Sequence, residues 1–286
     1  MILKKIDIVE CPRDAMQGLK DFVPTETKVQ YINKLLEVGF HTIDFGSFVS
    51  PKAVPQMRDT GEVLNQLIPS NSRLLAIVAN IRGAQDACKF EEIHDLGFPL
   101  SVNEKFQQRN TGKSIEEALR MVAEIQNLVL KYRKRLVVYL SMAFGNPYGD
   151  LHEPSLIVEF TEKLRVLGVS VVAVSDTVGV STPESINSLM TPLIKTYPEM
   201  IIGAHLHATP YTVAEKTHAV LSSGCTRIDT AMMGFGGCPM ADDDLTGNMD
   251  TETVLKSLEG MNLSAGLNLK AFAEAKVLAN EVFSSL

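Results

Sequence analysis

Two histidines one residue apart, His205-Leu206-His207, stand at the end of an apolar run that begins at Ile201. If that run is a strand, both imidazoles point to one face. That is the placement a metal ion needs, and Asp14 offers a carboxylate to complete it. Two core histidines satisfied by hydrogen bonds would be the plainer reading, but their place at a strand end beside an available carboxylate favours ligands. Two neutral imidazoles, one carboxylate and the carbonyl oxygen of Asn248 make a mixed nitrogen and oxygen set. Such a set suits an octahedral divalent ion with open water positions, Mg²⁺ or Mn²⁺ first, then Zn²⁺ or Co²⁺. No thiolate cage for a structural zinc is visible.

Arg13, next to Asp14, is either a surface ion-pair residue or a fixed cation for an enolate oxygen. Cys238 lies between Gly236-Gly237 and Pro239. A lone cysteine usually packs as a small hydrophobe, but a thiol in so glycine-rich a loop can exchange a proton with a substrate. Cys88 and Cys225 read as packing residues, and Cys11 as packing beneath the site. The glycines of Gly234–Gly237 lack the strand–GxGxxG–helix setting of a phosphate cradle.

Strand and helix patterns alternate around these residues. Short apolar runs at Leu3–Val9, His41–Phe45, Leu74–Ala79, Pro99–Val102, Leu136–Phe144, Val169–Val174, Ile201–His207 and Arg227–Met232 predict eight strands. Between them lie helical stripes, among them Thr27–Val38 ended by Gly39, Ile115–Tyr132 opened by the Ser114-x-x-Glu117 capping box, and helices begun at Pro154, Thr182-Pro183 and Thr251. Such alternation implies a parallel sheet, and closure into a single-domain TIM (β/α)8 barrel is the economical solution. Chemistry then belongs at the C-terminal strand ends, where Arg13-Asp14, Asp44, Ser175-Asp176-Thr177, His205, His207 and the Cys238 loop all fall.

The 286 residues, 45% of them hydrophobic, suffice for one large core, and no Ser/Gly/Pro-rich linker divides them. A net charge of −7 with dispersed basic residues disfavours nucleic acid as a partner. No run of about 18 apolar residues predicts a membrane span. Met1 leads directly into an apparent strand, so the expectation is a cytoplasmic protein with reduced thiols.

From Val9 through Asn248 and into the last helix, the sequence resembles the hydroxymethylglutaryl-CoA lyases of the DRE-TIM metallolyase family. The resemblance is carried by Pro12-Arg13-Asp14, Ser47-Phe48-Val49-Ser50-Pro51-Lys52, Val54-Pro55-Gln56-Met57, Asp176-Thr177-Val178-Gly179, His205-Leu206-His207 and Gly236-Gly237-Cys238-Pro239. It implies that Asp14, His205, His207 and Asn248 bind the metal and that Arg13 polarises a thioester carbonyl. It makes Cys238 the loop acid or base and Asp176 a further polar residue of the site. The implied reaction cleaves 3-hydroxy-3-methylglutaryl-CoA to acetyl-CoA and acetoacetate, the chemistry of leucine degradation and ketone-body formation, in a homodimer. The chain departs from the family at Asp44, where glutamate is usual, at Ala208-Thr209-Pro210-Tyr211, where the family has Asp-Thr-Tyr-Gly, and at Gly18-Leu19. A lyase for another 3-hydroxy acyl-CoA, a Claisen-type synthase on the same barrel, and a non-catalytic acyl-CoA-binding barrel are the alternatives.

Overall fold

The computed structural model describes residues 4–237 and 246–283. Eight strands follow one another as β1 Asp7–Glu10, β2 Thr42–Ser47, β3 Arg73–Ile77, β4 Ile93–Ser101, β5 Arg135–Ser141, β6 Val171–Asp176, β7 Ile201–Leu206 and β8 Arg227–Thr230. Each pairs in parallel with the next, and β1 pairs with β8 through Asp7↔Arg227 to Glu10↔Thr230, which closes the barrel. This is the expected TIM (β/α)8 architecture. Among the described residues, no helix is long and apolar enough to cross a membrane.

Strand periodicity divides the core in two. Ile8, Ile43, Leu96, Val138, Val172 and Val174 belong to the main core of the molecule, which includes the helices outside the barrel. Leu75, Val137, Tyr139, Val171 and Ala173 form a separate cluster, with Ile77 against it. A Cβ at Gly97 would meet Ile77 Cδ1 at 2.5 Å and Tyr139 Cε2 at 3.0 Å, so a larger residue there would have to displace these side chains.

β4 starts six residues before the sequence pattern suggests, because His94, Asp95 and Gly97 interrupt its apolar run. Asp95 has a reason to be there. Arg73 at the start of β3 and Arg135 at the start of β5 each donate two hydrogen bonds to its buried carboxylate, at 2.7 to 3.0 Å. Three strands are clamped at the barrel's N-terminal rim. β1 begins at Asp7, with Lys5 only bridging to Ser264, and Leu3 lies outside the described residues. The helix signals hold: Ser114 and Glu117 form their capping box, Thr182 caps Pro183–Thr196, and Gly39 takes φ +82 past Thr25–Val38.

Glu10, the last residue of β1, is fully buried. Its carboxylate accepts bonds from Met232 N at 2.7 Å, Thr251 Oγ1 at 2.7 Å and Thr230 Oγ1 at 3.3 Å, tying β1 to the chain after β8 and to the helix Thr251–Gly260. Burial pushes the carboxyl up from 4.5 to about 8, against the pull of those donors. The unfolded chain releases this proton first, so the contribution is most favourable below the unfolded value and declines as pH rises toward 8. Glu10→Gln should therefore flatten the fall in stability between about pH 5 and about pH 8, by a few kcal/mol at most. Urea midpoints of both proteins across that range test it, and parallel curves would refute it.

Candidate active site

The functional face is built where the strands end. Cys11 N bonds to Thr230 O, and Pro12 opens the short helix Pro12–Gln17, which carries Arg13 and Asp14 over the barrel mouth. His205 ends β7 with Leu206, and His207 follows it. The two imidazole rings lie 5.7 Å apart at 62°. One ligand atom from each of Asp14, His205 and His207 lies within 4.8 Å of the others. A carboxylate and two imidazoles meeting at one buried point form a site that fits a divalent cation.

Electrostatics prepares the group. Burial would raise the Asp14 carboxyl, but Arg13 and the two histidines outweigh it and leave Asp14 below its ordinary value. Burial, with His205 adding repulsion, brings His207 down to about 4, so its imidazole is neutral and free to ligate. Burial disfavours charge on His205 too, yet its bond to Asp229 carries the balance upward.

Asn248 reaches the group with its amide nitrogen, which donates to Asp14 Oδ2 at 2.8 Å and to Phe235 O at 2.9 Å. Its backbone bridges to His207, and Ala208 N donates to Gly247 O. Gly236 takes φ +96, and a Cβ there would meet Asn248 Nδ2 at 2.6 Å and both Ala15 Cα and Asp14 O at 2.9 Å. Only glycine lets this turn rest on the site. Cys238 lies outside the described residues.

Arg13 is held on every side. Nε and Nη2 bond to Asp44 at 2.5 to 3.2 Å, while Nη1 donates to Asp14 at 2.9 Å and to Gln17 at 2.8 Å. Gln17 in turn donates to Asp14 at 2.7 Å. Burial pushes Asp44 up to about 6, with Arg13 pulling it down. Asp44, one methylene shorter than glutamate, thus still makes a forked ion pair with Arg13.

Asp176 does not join this group. Its carboxylate accepts from Val180 N, from Ser181 N and Oγ, and from the buried Lys216 Nζ at 3.0 Å. Lys216 also donates to His207 O at 2.8 Å, and His207 N bonds to Asp176 O. Asp176 therefore supports the His207 backbone and the loop after β6.

Sequence reasoning missed Asp229. Its Oδ2 faces His205 Nδ1 at 3.3 Å, and its Oδ1 lies 2.7 Å from Arg227 Nη1, an ion pair short of hydrogen-bond alignment. The signal was available: Arg227-x-Asp229 repeats on β8 the two-residue spacing of the histidines. A carboxylate behind a ligating imidazole fixes its tautomer and orientation. Asp229→Asn should weaken metal binding by about 10- to 100-fold. Titration with Mn²⁺ measures this, and an unchanged affinity would make the contact incidental.

Arg13, Asp14, His205 and His207 line a cavity of about 220 Å³, walled further by Val49, Val54 and Phe106 and by the hydroxyl residues Ser141, Ser175 and Thr177. Fold and site together define a class: closed parallel (β/α)8 barrels with a carboxylate and two imidazoles gathered at the C-terminal mouth, where they could hold a cation. Within that class the chain belongs to the HMGL-like family, whose profile matches residues 5–278. It is 32% identical over 277 residues to the mitochondrial hydroxymethylglutaryl-CoA lyase of Mus musculus, covering 95% of this chain and 84% of that one. The cytoplasmic 3-hydroxy-3-methylglutaryl-CoA lyase of Rattus norvegicus is 32% identical over 274 residues, covering 94% and 79%. Among solved structures, an HMG-CoA lyase from Acinetobacter baumannii in complex with coenzyme A and 3-methylmalate superimposes with a TM-score of 0.91 at 25% identity, covering 98% and 92%.

Proposed function

We propose that the protein is a divalent-metal-dependent carbon–carbon lyase that cleaves 3-hydroxy-3-methylglutaryl-CoA to acetyl-CoA and acetoacetate. The observation that carries this reading is the convergence of Asp14, His205 and His207 on one point beside the held guanidinium of Arg13. Family membership and the lyase relatives support it.

Asp14, His205 and His207 would hold the ion, Mg²⁺ or Mn²⁺, with Asn248 joining once its amide turns to present oxygen in place of nitrogen. When bound, the ion supplies Lewis acidity toward the 3-hydroxyl and a neighbouring acyl oxygen. A general base at the site takes the 3-hydroxyl proton, the C2–C3 bond breaks, and its electron pair passes into the thioester as an enolate while C3 becomes a ketone. Arg13, fixed before substrate arrives, stabilises the enolate oxygen at no cost of reorganisation. Cys238 exchanges the proton that turns enolate into acetyl-CoA. Val54 and Phe106, which line the cavity, would present an apolar wall to the acyl chain.

Incubation with hydroxymethylglutaryl-CoA and Mn²⁺, scored for acetoacetate, tests the reaction. Binding without turnover would favour a non-catalytic barrel. Release of free CoA only from acetyl-CoA with a 2-oxo acid would favour a Claisen-type synthase, and turnover of a different 3-hydroxy acyl-CoA alone would reassign the substrate. Cys238→Ser should lower kcat by about 10²- to 10⁴-fold with metal affinity unchanged; an unaltered rate would reduce Cys238 to a packing residue. We further propose that the protein is cytoplasmic, in keeping with the cytoplasmic rat relative and the free Cys11, Cys88 and Cys225, and, from the family resemblance alone, that it is a homodimer.

A further inference from the structure

His205 belongs to two donor groups. One is the mouth group with Asp14 and His207. The other takes in Cys11 and Asp229, where one ligand atom each of Cys11, His205 and Asp229 again lies within 4.8 Å of the others. Cys11 and Asp229 are buried, at 1% and 2% exposure. Among the described residues, the Cys11 sulfur makes one hydrogen-bond contact, a long one of 3.6 Å to the Val9 carbonyl of β1. Arg227 takes Oδ1 of Asp229, so it is Oδ2 that faces His205 Nδ1 at 3.3 Å. Sulfur, nitrogen and oxygen donors thus converge, the oxygen held in place by an arginine behind it.

The two groups differ in softness. The mouth group has no sulfur and suits a hard cation, whereas a thiolate beside an imidazole and a carboxylate selects a thiophilic one. We propose that Cys11, His205 and Asp229 form a second metal site that takes Zn²⁺ or Cd²⁺ and competes with the mouth site for His205. On binding, the Cys11 thiol gives its proton to water as the sulfur–metal bond forms, with no change of oxidation state. A neutral imidazole carries a single lone pair, so His205 serves one cation at a time. The thiophilic ion therefore acts as an inhibitor that expels the mouth cation. The competition rests on the metal role proposed for the mouth, but the sulfur site does not.

The test uses Cys238→Ser protein, which leaves Cys11, Cys88 and Cys225 as its thiols. Titration with CdCl₂ should raise one equivalent of thiolate-to-cadmium charge-transfer absorption in the ultraviolet. The band should vanish in Cys11→Ser/Cys238→Ser and in Cys11→Ala/Cys238→Ser. No band in the parent, or a band that survives both Cys11 changes, overturns the site. In parent protein loaded with Mn²⁺, the electron paramagnetic resonance signal of free Mn²⁺ should grow in step with the band. A band without Mn²⁺ release overturns the sharing of His205. Failure of Mn²⁺ to bind at the outset would count against the mouth reading and leave the cadmium result standing.

Discussion

Replacing His207 with alanine should strip the protein of its divalent cation and, with it, nearly all lyase activity. On the proposed assignment an inner ligand disappears, so the loss in metal affinity should exceed the roughly 100-fold that an outer-shell partner costs. Lewis-acid stabilisation is worth several kcal/mol, so kcat should fall by about 10³-fold or more. The fold should survive, because what anchors this position is backbone. His207 N bonds to Asp176 O, and His207 O accepts from Lys216 at 2.8 Å, and alanine keeps both. Elemental analysis after dialysis, with circular dichroism as the control, gives the answer. Retained stoichiometric metal would refute the ligand assignment. Chelation of the wild type should reproduce the inactivity, and added Mn²⁺ should reverse it only where His207 is present.

Arg13→Lys should lower kcat by about 10²- to 10³-fold with little change in KM or metal content. The charge is conserved, so the effect isolates geometry. Arginine uses one planar fork to reach Asp44 through Nε and Nη2, and Asp14 and Gln17 through Nη1. A lysine ammonium is a point charge on a flexible stem and cannot hold all three partners in one plane. Removing the charge is less informative: Arg13→Met would leave Asp14 and Asp44 buried without their cation, at a cost of about 3–5 kcal/mol in stability. An unchanged kcat in Arg13→Lys would show that the guanidinium serves only to pair carboxylates.

The barrel was legible because a strand buried on both faces reads as an apolar run whatever encloses it, and Val169–Val174 and Ile201–His207 are such runs. β4 was legible only at its C-terminal end, since Asp95 owes its place to Arg73 and Arg135, residues distant in sequence. The convergence of Asp14 with His205 and His207 followed from strand periodicity and the rule for where barrels place their chemistry. Side-chain direction did not follow. Asp176 stands at a strand end like the others, but its carboxylate meets Lys216 and Ser181 rather than the cavity. Asp229 was overlooked because a single aspartate in Arg227-x-Asp229 announces nothing until β8 closes against β7 and sets it behind His205. Residue type and spacing disclose which candidate groups gather at the mouth, whereas the groups that steady them emerge only from pairing between strands.

The doubly bound Asp95 sits at the rim opposite the one where Asp14 and the histidines meet. The barrel's fastening and its reactive end are thus about a strand's length apart, and each can drift without asking leave of the other. Loops around the acyl pocket can be exchanged, lengthened or re-lined to admit new thioesters while the same three strand starts stay buckled. That division of labour makes this scaffold a good starting point for laboratory changes of substrate.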